Sequence, residues 1–313
     1  MENTSKKNKL YTNGIFVAVI AILCCALWGS ATPFIKTGYK LLLPEANVSS
    51  TILFAGLRFI LAGILTVLIY SIAERKLLKP KKENLGKVAV ISCFQTILQY
   101  IFFYVGLANT SGVKGTIASG TNVFFSILIA TLIFRQEKLT AKKIVACILG
   151  FAGIIIVNLN GFDLTMNFMG DCFVLFSAVS NGFSAALIKK YSKYEAPVVL
   201  SGYQFILGGC VMVVAGLIFG GKMNLGNIAG IGVLVYLAFL SAIAYSLWGI
   251  LLKYNPVSKV TVYSFMTPVF GVALSAIMLE ESSNVPMINI AVTLVLICTG
   301  ILMLNYTRSK KTV

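Results

Sequence analysis

The sequence predicts an all-α integral membrane fold: ten transmembrane helices arranged as two inverted five-helix repeats. Three observations predict it. Of 313 residues, 58% are hydrophobic and 12% charged, with a mean hydropathy of +0.90; soluble domains sit nearer about 45–50% apolar and about 25% charged. The apolar residues gather into ten runs, roughly 14–38, 48–72, 87–108, 114–134, 142–159, 168–188, 196–219, 229–252, 259–279 and 285–305. Each is near the ~20 residues that cross ~30 Å of hydrocarbon. Finally, Leu57-Arg58-Phe59-Ile60-Leu61-Ala62-Gly63 in the second run recurs as Tyr203-Gln204-Phe205-Ile206-Leu207-Gly208-Gly209 in the seventh, 146 residues later.

The first run follows Lys6, Lys7 and Lys9. It is too long for the ~7–15-residue apolar core of a signal peptide, so it reads as a retained helix. It carries Trp28, Gly29 and Pro33. Proline removes a backbone hydrogen bond and glycine permits close approach, which suits a bent gating helix or a static kink with tight packing. The second run holds Arg58 about ten residues from its start. A charge there is expensive. It serves either as a contact for a substrate carboxylate or phosphate or as a structural group that caps carbonyls or reaches the outer surface. Lys36 lies near a helix end and can snorkel.

The third and fourth runs hold Gln95, Gln99, Tyr100, Tyr104, Ser119, Thr121 and Asn122. Gln95 and Gln99 share one helix face, and Tyr100 and Tyr104 share the next. The fifth run closes the first repeat. The sixth begins near Asp171, and the seventh carries the recurring motif. The eighth and ninth hold Tyr245, Ser246, Trp248, Tyr263 and Thr267. Amides, hydroxyls and aromatics in these four runs suit a cavity for a small amphipathic solute, or hydrogen bonding between helices. The tenth run closes the second repeat.

The repeat extends past its first motif. Tyr100, Leu107 and Lys114 match Tyr245, Leu252 and Lys259 at an offset of 145. Gly29 and Ile35-Lys36 match Gly182 and Ile188-Lys189 at 153. Phe124 stands thirteen residues before Glu137, as Pro268 does before Glu281. Five spans per unit is odd, so the second unit enters the membrane from the opposite side and the repeats are inverted. The domain limits are a tail at 1–13, repeats at 14–159 and 168–305, and a basic tail at 306–313.

Net charge is +16, and 21 of the 26 Lys and Arg fall at one set of helix ends and in the two tails. The exceptions are Lys36, Lys40, Arg58, Lys114 and Lys222. By the positive-inside rule both termini are cytoplasmic, in a plasma or inner membrane. The charge therefore reads as topology and as attraction for anionic lipids at the cytoplasmic face, with no nucleic-acid partner. A small-molecule substrate and the bilayer are the other partners, and a homodimer is an open option.

Histidine is absent, and the seven cysteines (24, 25, 93, 147, 172, 210 and 298) all fall in predicted spans without a C-x-x-C. They read as buried small hydrophobes, so neither a metal site, a cofactor nor a disulfide is expected. No phosphate-binding loop and no nucleophile-plus-base cluster occurs, so an enzyme is not expected. No Asp or Glu lies near a span centre: Asp171 opens the sixth run and Glu280-Glu281 end the ninth. Proton-for-cation exchange of the small multidrug type is therefore disfavoured, and substrate is expected to run down its own gradient or exchange for another solute.

Ala26-Leu27-Trp28-Gly29-Ser30-Ala31-Thr32-Pro33-Phe34-Ile35-Lys36 resembles the first-helix signature of the drug/metabolite transporter superfamily, EamA type. Leu57-Arg58-Phe59 is similar to its second-helix signature, and Thr267-Pro268-Val269-Phe270 leading to Glu280-Glu281 resembles its ninth-helix pattern, with Phe124 to Glu137 as the fourth-helix match. Gly150, Gly153 and Gly300 resemble the glycine spacing that follows. Two residues depart from the pattern. Phe124 stands where proline is common, which removes the usual reason for a kink, and Asn181 stands where an aromatic is common. The resemblance implies a ten-helix carrier, often an exporter, in which helices one to four and six to nine enclose a cavity. The expectation is thus a transporter of a small polar or amphipathic, amino-acid-like metabolite, working by alternating access. Its substrate cavity would be lined by Gln95, Gln99, Tyr100, Tyr104, Ser119, Asn122, Tyr245, Trp248, Tyr263 and Thr267. A proton- or anion-coupled exchanger of drugs or metabolites, or a non-transporting sensor or scaffold, are the alternatives.

Overall fold

The computed structural model describes residues 8–110, 112–157, 167–278 and 286–305, and among them all regular structure is helical. The helices are α1 (Gly14–Leu42), α2 (Val48–Ala73), α3 (Lys82–Ala108), α4 (Lys114–Ile133), α5 (Ala141–Val157), α6 (Phe168–Tyr191), α7 (Pro197–Ile218) and α8 (Ile228–Tyr254). They are followed by α9, made of Val257–Thr261, Val262–Phe265 and Met266–Met278, and by α10 (Met287–Asn305). Among the described residues, eight of these, all but α5 and α9, are long and apolar enough to cross a membrane. Their outward faces carry bare hydrocarbon: Ile15, Ile72, Ile218 and Ile228 are 74–85% exposed. Such a surface is stable against lipid and not against water.

Apolar sequence makes these segments helical because hydrocarbon leaves a backbone no other way to satisfy its polar groups. Asparagines start several of them. The Asn13 side chain accepts from the N–H groups of Ile15 and Phe16, Asn47 from Ser50, Asn167 from Gly170 and Asn227 from Gly230. Each cap satisfies orphan donors where the chain leaves water. Pro197 sits in the first turn of α7, where its missing N–H costs nothing.

Several sequence expectations need correction. α1 runs to Leu42 and α3 begins at Lys82, because polar residues extend helices beyond their apolar stretch. Pro33 leaves α1 continuous, as a bend or kink within one helix requires, and its carbonyl accepts the Thr37 hydroxyl at 3.0 Å. α4 breaks at Thr121 although no proline is there; the Thr121 hydroxyl donates to the Ala118 carbonyl and helix resumes at Asn122. α9 is interrupted by a 3₁₀ turn over Val262–Phe265. Cys24, Cys25 and Cys147 are buried, but Cys210 and Cys298 are exposed on outward faces. Glu280, Glu281, most of the N-terminal tail and the C-terminal tail lie outside the described residues.

The packing repeats itself. α2 lies along α7 and α5 along α10. α1 packs on α8 and α9, while α6 packs on α3 and α4. The same correspondence holds atom by atom. A methyl on Gly63 would lie 2.5 Å from the Gly202 carbonyl oxygen and 2.9 Å from the Ile206 nitrogen. One on Gly209 would lie 2.7 Å from the Gly56 carbonyl oxygen and 2.8 Å from the Ile60 nitrogen. Every partner in the second contact is its counterpart in the first, shifted by 146 residues. Gly29 likewise meets Phe270 and Gly271, and Gly182 meets Phe125 and Ser126. Gly56 faces Gly209 while Gly63 faces Gly202, so α2 and α7 cross antiparallel. Gly153 faces Thr293 while Gly300 faces Ala146, so α5 and α10 do the same.

Candidate functional site

The recurring motif places Phe59 on α2 and Phe205 on α7, and the two rings stack at 5.0 Å with planes 13° apart. Around them stand Tyr100 and Tyr104 from α3, Trp28 from α1, and Tyr245 and Trp248 from α8. Phe59 contacts Tyr100 at 4.5 Å and Phe205 contacts Tyr245 at 4.9 Å. Trp28 touches Tyr245 at 5.1 Å and Trp248 at 4.9 Å. The Tyr100 and Tyr245 hydroxyls, equivalent in the two halves, share a 2.6 Å hydrogen bond. Edge-to-face and offset aromatic pairs each add about 0.5–1.5 kcal/mol beyond area burial. The result is a rigid aromatic layer joining both halves.

Polar groups flank this layer. Arg58 is 3% exposed and donates from Nε and Nη2 to the Ser241 hydroxyl at 3.1 and 2.8 Å. Ser241 in turn donates to the Leu237 carbonyl at 2.9 Å. The expectation that Arg58 reaches the outer surface is therefore wrong; it points across to α8. At the equivalent place on α7, Gln204 accepts from the Thr96 hydroxyl at 2.6 Å, and its Nε2 is buried without a partner. Gln95 is buried with Oε1 unpartnered, within a π turn over Cys93–Leu98. Gln99 accepts from Asn181 at 3.3 Å. The buried Trp28 indole N–H also lacks a partner.

The structure thus gathers Tyr100, Tyr104, Tyr245, Trp248, Trp28 and Arg58 around one layer, with Gln95 and Gln99 on the α3 side. Tyr263 is buried in the cluster that holds Trp248, and its carbonyl accepts the Cys25 thiol at 3.1 Å. Ser119 spends its hydroxyl on the Gly115 carbonyl of its own helix at 2.7 Å. Asn122 is half-buried at the helix restart, and Thr267 is half-buried near the start of the last piece of α9. Gly29 serves close packing against Phe270. Sequence reasoning missed Phe59, Phe205, Thr96, Gln204 and Ser241. The repeat itself was the available signal, since Phe59 and Phe205 share its best-matched motif.

The lysine-rich helix ends are tied together by polar contacts. The Glu137 carboxylate accepts from the Ser258 N–H at 2.9 Å, the Ser258 hydroxyl at 2.6 Å and Lys143 Nζ at 2.9 Å. It thereby caps the start of α9 from the loop before α5. Lys189 donates to the Leu252 carbonyl at 3.1 Å and to the Asn255 carbonyl. Asn255 donates to the Tyr11 carbonyl at 2.9 Å. Burial opposes the charge of Glu195, but donation from Lys81 N–H, Asn84 Nδ2 and Ala196 N–H, with the Lys81 charge nearby, holds its carboxyl below the usual range. A cavity of about 460 Å³ opens at this same end, lined by Ile133, Phe134, Gln136, Lys189, Lys190, Lys193 and Tyr194.

Comparison with known proteins gives one consistent picture. The model of the EamA-like transporter family matches residues 14–159 and again 168–306. A protein of Archaeoglobus fulgidus, named an uncharacterized transporter, is 26% identical over 275 residues, covering 84% of this chain and 90% of its own length. A protein of Escherichia coli, named a probable amino-acid metabolite efflux pump, is 27% identical over 274 residues, covering 84% and 87%. A solved crystal structure superposes with a TM-score of 0.75 at 15% identity, covering 92% of this chain and 95% of the other. That last likeness concerns the fold alone.

Proposed function

The chain belongs to the EamA-like transporter family, and from that premise we propose that this membrane transporter exports a small, amino-acid-like metabolite by alternating access. The aromatic layer with its flanking amides carries the reading: it joins both halves at one place and leaves buried polar atoms unpaired there. Gln95, Gln99, Tyr100, Tyr104, Tyr245, Trp248 and Tyr263 form the substrate site, with Ser119, Asn122 and Thr267 further along the path. The name of the Escherichia coli relative, a probable amino-acid metabolite efflux pump, supports the substrate class and direction.

The framework is ten spans in two inverted repeats, 14–159 and 168–305, with both termini and the lysine-rich ends cytoplasmic. Antiparallel crossing of the equivalent helices α2 and α7 supports inversion, since repeats related about the membrane normal would run parallel. The lysine-lined cavity at the inner face supports binding of anionic lipids. The α1 segment around Trp28, Gly29 and Pro33, wedged between α8 and α9, is the gating helix. Flux of labelled amino acids from proteoliposomes tests the function. The wild type should transport members of the panel, and Gln99→Leu and Tyr245→Leu should lower apparent affinity roughly 5- to 150-fold. Normal transport by both variants, well expressed, would remove this site.

A further inference from the structure

The α2–α7 crossing locates Arg58 in the membrane. Gly56 opposes Gly209 and Gly63 opposes Gly202. Helix levels run in opposite directions from there, so a residue opposes its own equivalent at the level between Phe59 and Ile60. With inverted repeats that level is the midplane. At ~1.5 Å rise per residue, Arg58 lies within about 3 Å of it. The stacked pair Phe59–Phe205 marks the same level.

A guanidinium at mid-membrane is an expensive group to place. It carries five N–H donors. Two are used, both on the single uncharged oxygen of Ser241. The guanidinium carbon also lies 5.3 Å from the centre of the Phe59 ring. Among the described residues no carboxylate pairs with it. Tyr39, Tyr100, Tyr104 and Tyr245 lie within electrostatic reach of it. A helix-to-helix strut would not need the charge. The equivalent pair shows this, because Gln204 and Thr96 join α7 to α3, as Arg58 and Ser241 join α2 to α8, with a neutral amide.

We propose that Arg58, anchored by Ser241 and ringed by tyrosines, is the seat for the carboxylate of the transported substrate. The fork of the guanidinium fits a carboxylate through two parallel N–H···O bonds. The bound anion supplies the missing countercharge, and Gln204, the equivalent residue on α7, supplies an unpaired N–H₂ without charge. The site is therefore symmetric in its aromatics and asymmetric in its charge, so a zwitterionic solute binds in one orientation. This rests on the carrier reading above and narrows it: solutes bearing a carboxylate are selected over their decarboxylated amines.

The test is thermal stabilisation of purified protein in mild detergent by the standard amino acids and by isoamylamine, phenethylamine and tryptamine. Amino acids should stabilise the wild type, and the three amines should not do so at equal concentration. Arg58→Gln should weaken amino-acid binding about 10- to 150-fold, and Arg58→Lys should restore part of it. Ser241→Ala keeps the guanidinium and loosens its anchor, so it should weaken binding about 2- to 10-fold even if neither Arg58 variant folds. Gln204→Leu should leave the preference for acid over amine intact. A wild type that does not distinguish acids from amines overturns the proposal, as does undiminished amino-acid binding by folded Arg58→Gln. Should the Arg58 variants not fold, undiminished binding by Ser241→Ala does the same. Amino-acid binding without any flux in proteoliposomes would instead refute the carrier reading and leave the carboxylate seat standing.

Discussion

Replacing Gly63 by alanine should push α2 and α7 apart. The new methyl would lie 2.5 Å from the Gly202 carbonyl oxygen, 2.6 Å from Ile206 Cγ1 and 2.9 Å from the Ile206 nitrogen. Carbon contacts are comfortable near ~3.5–4.0 Å, so the helices must part by about 1 Å. Two of the three clashing atoms belong to backbone and cannot swing away. Separation on this scale forfeits about a quarter to a half of each nearby dispersion contact, and overpacking of this kind costs about 1–3 kcal/mol. Alanine recovers about 0.5–1 kcal/mol of helix propensity, leaving a net loss centred near ~1 kcal/mol and at most about 2.5 kcal/mol. At about 2–4 °C per kcal/mol, the thermal midpoint in detergent should fall by roughly 2–5 °C at the central value. Gly209→Ala should cost the same, because its methyl meets the equivalent atoms at 2.7 and 2.8 Å. Gly232→Ala on α8 meets nothing within 4 Å and should stabilise by about 0.5–1 kcal/mol. Midpoints for Gly63→Ala and Gly209→Ala at or above wild type, with Gly232→Ala raised, would refute the close crossing. A large difference between the first two would refute its symmetry.

The other predictions concern the aromatic layer, one half-buried carboxylate and topology. Tyr100→Phe and Tyr245→Phe remove the same 2.6 Å hydrogen bond, so each should cost about 0.5–1.5 kcal/mol and the double variant little more than either; additive losses in thermal midpoint would contradict the shared bond. Glu195 has a folded-state affinity for protons below that of a free carboxylate. Its contribution to stability is therefore whole above the ordinary carboxylate range and lost as pH falls through the folded value. Glu195→Gln should flatten that part of the stability–pH profile, and an unchanged profile would remove the role. Cysteines introduced at Lys81 and Lys190, in a chain lacking the exposed Cys210 and Cys298, should resist membrane-impermeant thiol reagents applied outside sealed cells. Labelling from outside would invert the topology.

Much of the architecture was legible because two features of sequence report it directly. Run length reports membrane crossing, and a recurring motif reports duplication. Helix ends were less legible where polar residues carry a helix past its apolar stretch, as at Lys40 in α1 and Lys82 in α3, while starts capped by Asn13 and Asn227 coincide with the apolar runs to within one residue. The break at Thr121 left no mark, since a threonine hydroxyl folding back on its own helix looks like any other threonine. In the site, Tyr100 and Tyr245 stood out as polar aromatics at equivalent positions. Phe59 and Phe205 did not, because a phenylalanine within an apolar run looks like core. Ser241 was invisible because serine is cheap almost anywhere in a helix bundle. Ser119 was legible as polar, but sequence could not say that its hydroxyl serves its own backbone.

Counterflow in proteoliposomes tests the central claim most directly. Vesicles carrying the purified chain are preloaded with an unlabelled amino acid and diluted into a trace of the same labelled compound, with no ion gradient. A carrier that exposes one site alternately to each side predicts a transient overshoot of labelled solute above its equilibrium level, abolished in Tyr245→Leu. Equilibration without overshoot, or no uptake across the whole amino-acid panel, would contradict the account.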